Sequence, residues 1–442
     1  MAETLLIAAP ASNTGKTLIT LSLLALMKAR GVDVAAAKVG PDYIDPAFHA
    51  AASGNECVNL DPWAMGKEEL AARLARAGAG RELLLIEGVM GLFDGAAASS
   101  GASGHGGSTA DLAAMFSIPV VLVLDCARQG QSVAAVAQGF TRFRADVPIA
   151  GFILNRVATE RHGRMLQAAI EEATGLPVCG KVMRHEALRL AHRHLGLVQA
   201  GERADLSDFL ARAAQVAARD ISTCRLAGLT RPVEPQGAEL TPLPPLGQRI
   251  AIARDEAFGF CYPHWLDDWR RQGAEISFFS PLADEAPAME ADAVFLPGGY
   301  PELHAGRLAA AARFKAGLRE LAARGALVYG ECGGFMALGE VLEDAQGAAH
   351  AMAGLLPVRT SFARRRLHLG YRALTHDSPL PLPARLMGHE FHYASASVQG
   401  DAPALFHGED SQGRLLAPMG LRTGRVMGSF AHVICAASGD GS

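Results

Sequence analysis

The first half of the chain alternates short, almost uninterrupted apolar runs with longer amphipathic stretches. The apolar runs predict strands over Thr4–Ala9, Val34–Val39, Leu83–Glu87, Val120–Asp125 and Ile149–Leu154. Between them, helical spacing predicts helices over Thr17–Arg30, Gln131–Phe143 and Arg161–Ala173. Strands that are apolar on both faces and separated by helices belong to a parallel sheet covered on both sides. The pattern breaks at Arg231–Gly247, RPVEPQGAELTPLPPLG, which holds five prolines. Proline fixes φ and removes an amide donor, which keeps such a run out of helices and central strands. A linker over 229–247 is expected, separating a domain at 1–228 from one at 248–442. Beyond it the alternation resumes, with strands over Arg249–Ala253, Glu275–Phe279, Ala293–Leu296 and Ala326–Tyr329 and helices over Tyr262–Gln272 and Leu308–Ala323. Both halves are therefore expected to be α/β.

Composition narrows the function classes. Of the 442 residues, 50% are hydrophobic and 19% charged, enough apolar material for two or three full cores. The net charge of −4 asks for neither nucleic acid nor an anionic membrane as partner. No apolar stretch approaches the ~20 residues of a spanning helix, and the N-terminus lacks a basic region before its apolar run, so neither a membrane span nor a signal peptide is expected. Seven cysteines are scattered without a Cys-x-x-Cys pair, which argues against a disulfide framework or structural zinc and for a cytoplasmic setting.

The candidate chemistry sits where strands end. The first strand runs into Pro10-Ala-Ser-Asn13-Thr-Gly15-Lys16-Thr17 and then a helix. Backbone amides at a helix start favour phosphate oxygens, a lysine here reaches the terminal phosphates, and a following threonine can hold Mg²⁺. Pro10 stands where the first glycine of a phosphate-binding loop usually sits. The second strand ends in Lys38-Val-Gly-Pro-Asp42-Tyr-Ile-Asp45-Pro. The third ends in Glu87-Gly-Val-Met-Gly-Leu-Phe-Asp94-Gly95. In an open parallel sheet these ends face the ligand crevice. Lys38 is expected to neutralise charge on a transferring phosphoryl group, Asp42 and Asp45 to bind metal or position substrate, and Glu87 to hold Mg²⁺. Asp94 is expected to position substrate or phosphate. The amide of Asn155 can read a nucleobase edge, though a turn-forming role fits as well.

In the second half, Gly330-Glu-Cys332-Gly333-Gly334 lies on a strand-to-helix turn. A cysteine exposed there, near the positive end of a helix, is expected to have a lowered pKa and to act as a nucleophile. Gly298 and Gly299, in Pro-Gly-Gly-Tyr-Pro-Glu302, can form an oxyanion hole with the amide of Gly333. His432, in Gly-Ser-Phe-Ala-His, is the candidate base. Alone it is a weak signal among 15 histidines.

Together the motifs PxSxxGKT, KVGPDYIDP, EGVMGLFDG, LNRV, PGGYPE, YGECGGFM and GSxxH resemble the cobyrinic acid a,c-diamide synthases over essentially the whole chain. His194-Leu-Gly-Leu, His368-Leu-Gly-Tyr-Arg372 and Gly388-His-Glu-Phe-His392-Tyr also look like that family. The resemblance implies a dethiobiotin-synthetase-like, doubly wound P-loop domain and a class I glutamine amidotransferase-like domain. It implies that Cys332, assisted by His432, takes the amide of glutamine and forms a γ-glutamyl thioester. The ammonia released then displaces phosphate from a corrinoid acyl phosphate made with ATP and Mg²⁺. The expected partners are thus a corrinoid, L-glutamine and ATP, with a homodimer among the expected assemblies. Ala- and Arg-rich composition resembles the aerobic-pathway members, which use metal-free hydrogenobyrinic acid; cobyrinic acid, with its cobalt, is the alternative. Other amidases, such as cobyric acid synthase or a peptidoglycan-precursor amidating enzyme, fit KVGPDYIDP and EGVMGLFDG less well. A P-loop switch ATPase would have no use for Cys332 with PGGYPE. Two departures stand out. Ile434 occupies the place where many class I amidotransferases carry the acid of the triad, and GSFAHVIC lacks the second histidine of GSxxHxHF.

Overall fold

Valine, leucine and isoleucine runs with no polar face can be buried only inside a layered sheet, and the first half uses them so. In a computed structural model, which describes residues 2–96, 106–185, 188, 192–193, 196–197, 199–233, 240 and 242–438, the described residues form two compact units. One is built from residues up to Leu240 and the other from residues beyond it.

The first unit contains strands β1 (Glu3–Ala8), β2 (Val34–Val39), β3 (Cys57–Leu60), β4 (Leu83–Glu87), β5 (Val120–Asp125), β6 (Ile149–Val157) and β7 (Val178–Met183). They are all parallel, in the order β3-β2-β4-β1-β5-β6-β7. The chain winds outward from β1 in both directions, so β1 lies at the topological switch point where such sheets bind ligands. Helix α1 (Lys16–Ala29) follows β1 directly, and α2 (Ile44–Ser53) follows β2. The end of the Lys38–Pro46 motif is thus helical. Pro46 falls in the first turn of α2, where a missing amide costs nothing. Arg231–Pro232, at the start of the expected linker, pairs antiparallel with Glu3 and Thr4 and belongs to this unit. Residues 234–239 and 241 of that run, and His194, lie outside the described residues.

The second unit has a parallel sheet of β8 (Arg249–Ala253), β9 (Glu275–Phe279), β10 (Ala293–Leu296), β11 (Leu327–Glu331) and β14 (Val426–Ser429), ordered β9-β8-β10-β11-β14, with Leu421–Thr423 antiparallel at its edge. The helix expected over Leu308–Ala323 is two helices, Ala305–Ala310 and Ala312–Ala323, broken at Ala311; the Lys315 ammonium takes up the Ala309 carbonyl beside the break. A separate antiparallel sheet, absent from the sequence reading, contains β12 (His368–Thr375), β13 (Arg385–His392) and β15 (His432–Ala436), with β13 between the other two. Strands β14 and β15 are consecutive in the chain but belong to different sheets, so the two-residue step Phe430–Ala431 carries the backbone from one layer to the other.

Candidate active site

In the first unit the loop after β1 turns on Gly15, which has φ +100° and precedes α1. That conformation favours glycine, and a Cβ there would also collide with the Asn155 side chain. Asn155 is buried at the end of β6. Its amide nitrogen donates to the Thr14 carbonyl (2.7 Å) and its oxygen accepts from the Arg156 amide (2.9 Å). It braces the loop across the switch point. The Asn13 carbonyl is held by Arg156 in the same way (2.8 Å). Lys16 donates to the carbonyls of Met90 (2.5 Å) and Ala11 (3.4 Å), spanning the loops after β1 and β4. Burial lowers its pKa to about 8, with Glu87 pulling partly the other way.

Beneath this loop is a buried cluster. Lys38 Nζ lies 2.7 Å from Asp45, 3.1 Å from Glu87 and 3.8 Å from Asp42. Burial opposes its charge, but Asp45, Glu87 and Asp42 together outweigh that and hold its pKa above the ordinary lysine value. The Thr17 hydroxyl donates to Glu87 (2.7 Å) and approaches Asp45 (3.3 Å). Glu87 is fully buried. Burial alone would raise its pKa, yet Lys38, His49 and the Thr17 hydrogen bond bring it below the usual carboxylate range. His49, on α2, places Nε2 2.5 Å from the second oxygen of Glu87. Sequence reasoning missed His49, because α2 was not expected and a histidine four residues past Asp45 had no visible partner.

Two of the expected site residues accept local backbone amides. Asp42 Oδ1 accepts the amides of Ile44 and Asp45 (2.8 and 3.1 Å) and so shapes the start of α2. Burial and the nearby charge of Asp45 push it up to about 6, against Lys38. Asp45, not Asp42, stands with Thr17 and Glu87. Asp94 is exposed and accepts the Gly91 amide (2.8 Å), closing its own turn. Among the described residues no cluster of three His, Cys, Asp or Glu could hold a metal by itself. A hydroxyl and two carboxylates nonetheless suit Mg²⁺, which takes one or two protein carboxylates and completes its shell with water and phosphate.

In the second unit Cys332 sits at the end of β11 with φ +46°, a strained conformation for a non-glycine residue and the shape of a nucleophile turn. It is 1% exposed, not open to solvent as expected. Burial, followed by the carboxylates of Glu302, Glu331 and Glu390, drives its thiol above the ordinary value, with only the Gly333 amide pulling down. The six-residue helix behind it does not outweigh these effects. A histidine is adjacent. A Cβ on Gly298 would lie 3.2 Å from His432 Nε2 and 3.4 Å from Cys332 Cβ, so this glycine is flanked by both side chains. A Cβ on Gly333 would lie 3.1 Å from the Gly299 nitrogen, so Gly299 and Gly333 are neighbours beside Cys332.

His432 opens β15 and stands opposite His389 on β13; the two rings stack at 4.9 Å and 10°. Burial, then the charges of His432 and Arg372, push His389 well below the ordinary histidine value. His432 Nδ1 is 3.6 Å from Glu331 Oε2, and both side chains are 2% exposed. Ile434, at the position of the absent acid, is buried and gives its carbonyl to Trp265 (3.2 Å). Sequence reasoning missed Glu331 because it was read only as a neighbour of the cysteine, and missed His389 because no pairing of β13 with β15 was foreseen.

Two family models match the chain. Residues 5–198 match a CobQ/CobB/MinD/ParA nucleotide-binding domain, and residues 249–439 match a CobB/CobQ-like glutamine amidotransferase domain. Hydrogenobyrinate a,c-diamide synthase of Brucella anthropi is 55% identical over 432 residues, covering 97% of this chain and 98% of its own. The Rhodobacter capsulatus protein of the same name is 52% identical with the same coverage. The chain belongs to the hydrogenobyrinate a,c-diamide synthase family. A nucleotide-binding half joined to a glutamine amidotransferase half is the pairing of a glutamine-fed carbon–nitrogen ligase, and each half of this family member carries one of the two buried sites. The family resemblance read from the motifs therefore holds over both halves. No helix among the described residues is long and apolar enough to cross a membrane.

Proposed function

We propose that this chain converts hydrogenobyrinate to its a,c-diamide, using ATP with Mg²⁺ and two glutamines per product. The match to hydrogenobyrinate a,c-diamide synthases over 97% of the chain carries this reading. Residues 1–228 act as the amidoligase and 248–442 as the glutaminase. In the glutaminase, His432 takes the Cys332 proton and the sulfur attacks the γ-carbonyl of glutamine. The amides of Gly299 and Gly333 receive the developing oxyanion. The imidazolium protonates the departing nitrogen, ammonia leaves, and water assisted by His432 hydrolyses the thioester.

In the amidoligase, the P-loop amides and Lys16 hold the nucleotide phosphates, and Lys38 offsets charge beside Asp45 and Glu87. Thr17, Glu87 and Asp45 are the residues that would hold Mg²⁺, which would supply positive charge to offset that of the phosphates. A free carboxylate is a poor electrophile; phosphorylation gives it a leaving group that ammonia displaces. Lys16→Ala is expected to lower amide formation by about 10²- to 10³-fold with either glutamine or ammonia as nitrogen source, the size of losing one charged donor to a transition state. Unchanged synthesis in that variant removes the P-loop from the reaction.

The substrate is tested by mass spectrometry of paired incubations with hydrogenobyrinic and cobyrinic acids, each with ATP, Mg²⁺ and glutamine. A diamide from the metal-free acid is expected. Product from the cobalt form alone transfers the assignment to cobyrinic acid, and product from neither overturns it.

A further inference from the structure

The fold supplies the acid that the sequence lacks after His432. We propose that Glu331, the residue immediately before the nucleophile, is the positioning carboxylate of a Cys332–His432–Glu331 site. This rests on the reading of Cys332 and His432 as the glutaminase pair.

Three observations carry it. First, the two edges of the His432 ring have different neighbours. Nε2 is near Gly298, the glycine that also flanks Cys332, and Nδ1 lies 3.6 Å from Glu331 Oε2. A base between a nucleophile and a carboxylate, each at its own ring nitrogen, is the working order of a triad. The separation is just beyond a formed hydrogen bond, and catalytic contacts in a free enzyme are commonly long and shorten with substrate. Second, Glu331 is fixed by its other oxygen. Oε1 accepts the Val433 amide (3.1 Å) and the Tyr329 hydroxyl (3.0 Å). Tyr329 can serve only as donor there, since burial and the charge of Glu331 hold its pKa well above the ordinary value. The Val433 bond ties the carboxylate to the residue next to His432 itself. Third, the usual position is closed, because Ile434 points into the core.

Adjacent residues on a strand point to opposite faces, which ordinarily separates a nucleophile from its neighbour's side chain. Here the positive φ of Cys332 ends that alternation. Glu331, as the last residue of β11, stays on the Nδ1 side of His432. Other charged groups face the same centre: Glu302 after β10, and Glu390 on β13, paired with Arg372 of β12 at 2.7 Å. His389 covers one face of the His432 ring, with the Tyr262 hydroxyl 3.4 Å from its Nε2.

The test is Glu331→Gln and Glu331→Asp in the full chain, with thermal unfolding as the check on folding. Gln keeps the acceptor for Val433 and Tyr329 but offers Nδ1 an amide in place of a carboxylate, which favours the wrong tautomer. Glutaminase kcat is expected to fall about 10²-fold or more in the Gln variant with the KM for glutamine within about threefold, and Asp to recover part of it. The second readout is the pH profile of Cys332 alkylation by iodoacetamide, followed on its own peptide. If Glu331 only repels the thiolate, neutralising it moves the profile to lower pH. If it steadies the His432 imidazolium, the profile moves to higher pH, and that is the expected result. A kcat within about threefold of wild type, or a profile shifted to lower pH, overturns the role of Glu331. Undiminished glutaminase in Cys332→Ser overturns instead the reading on which it rests.

Discussion

Cys332→Ser is expected to lower glutamine-dependent amide formation by about 10⁴-fold or more, while synthesis fed by ammonium salt continues. The size follows from the surroundings of the thiol. Burial and three carboxylates push its pKa above the ordinary value, so in the proposed mechanism its reactivity depends on transfer of the proton to His432. A serine hydroxyl begins from a much higher pKa in the same environment and is a far weaker nucleophile at the angle this turn imposes. The retained ammonia reaction follows from the division of labour, since the variant removes the supply of nitrogen and not its acceptor. Glutamine hydrolysis and both nitrogen-source assays on one preparation decide the matter. Normal hydrolysis by the variant would remove Cys332 from the chemistry, and loss of the ammonia reaction would show that the two halves are not separable in this way.

Lys38→Met should cost the first unit about 3–5 kcal/mol and abolish amide synthesis from either nitrogen source. Lys38 is 3% exposed and sits within 3.1 Å of both Asp45 and Glu87, so solvent screens this cluster little. Replacing the ammonium by a thioether of similar length preserves volume but leaves two carboxylates facing each other across a dry gap. The expected response is protonation of one of them or separation of α2 from the sheet. Urea unfolding followed on the purified variant measures the loss, and a second substitution, Glu87→Gln, should return part of it by removing one of the stranded charges. A change below about 1 kcal/mol would mean that the cluster is not the electrostatic centre the distances describe.

The sequence was most legible where local and long-range demands agreed. The strand Val120–Asp125 is apolar at every position before its closing aspartate because helices cover both faces, and its limits match the structure. The antiparallel strands β12 and β13 gave no such signal. Their buried positions include Arg372, His389, Glu390 and His392; Arg372 pairs with Glu390, His389 stacks on His432 and His392 on His368, so burial there does not read as hydrophobicity. The same reason governs the sites. Cys332, Gly298 and the P-loop announced themselves through glycine and turn chemistry, which is local. His49 beside Glu87, and Glu331 beside His432, are meetings of residues that only the folded backbone brings together. Asn155 and Asp94 were found by position but their bonds go to nearby backbone, a distinction no residue type reveals.

The two-residue step from β14 to β15 has a consequence for how this protein tolerates change. Cys332 follows a strand of one layer and His432 opens a strand of another, joined by the Val433 amide bond to Glu331 and the short Phe430–Ala431 step. Substitutions that repack the contact between those layers can therefore silence glutamine use without altering either reacting residue. A lineage could in this way drift toward dependence on free ammonia while its catalytic motifs remained intact to the eye.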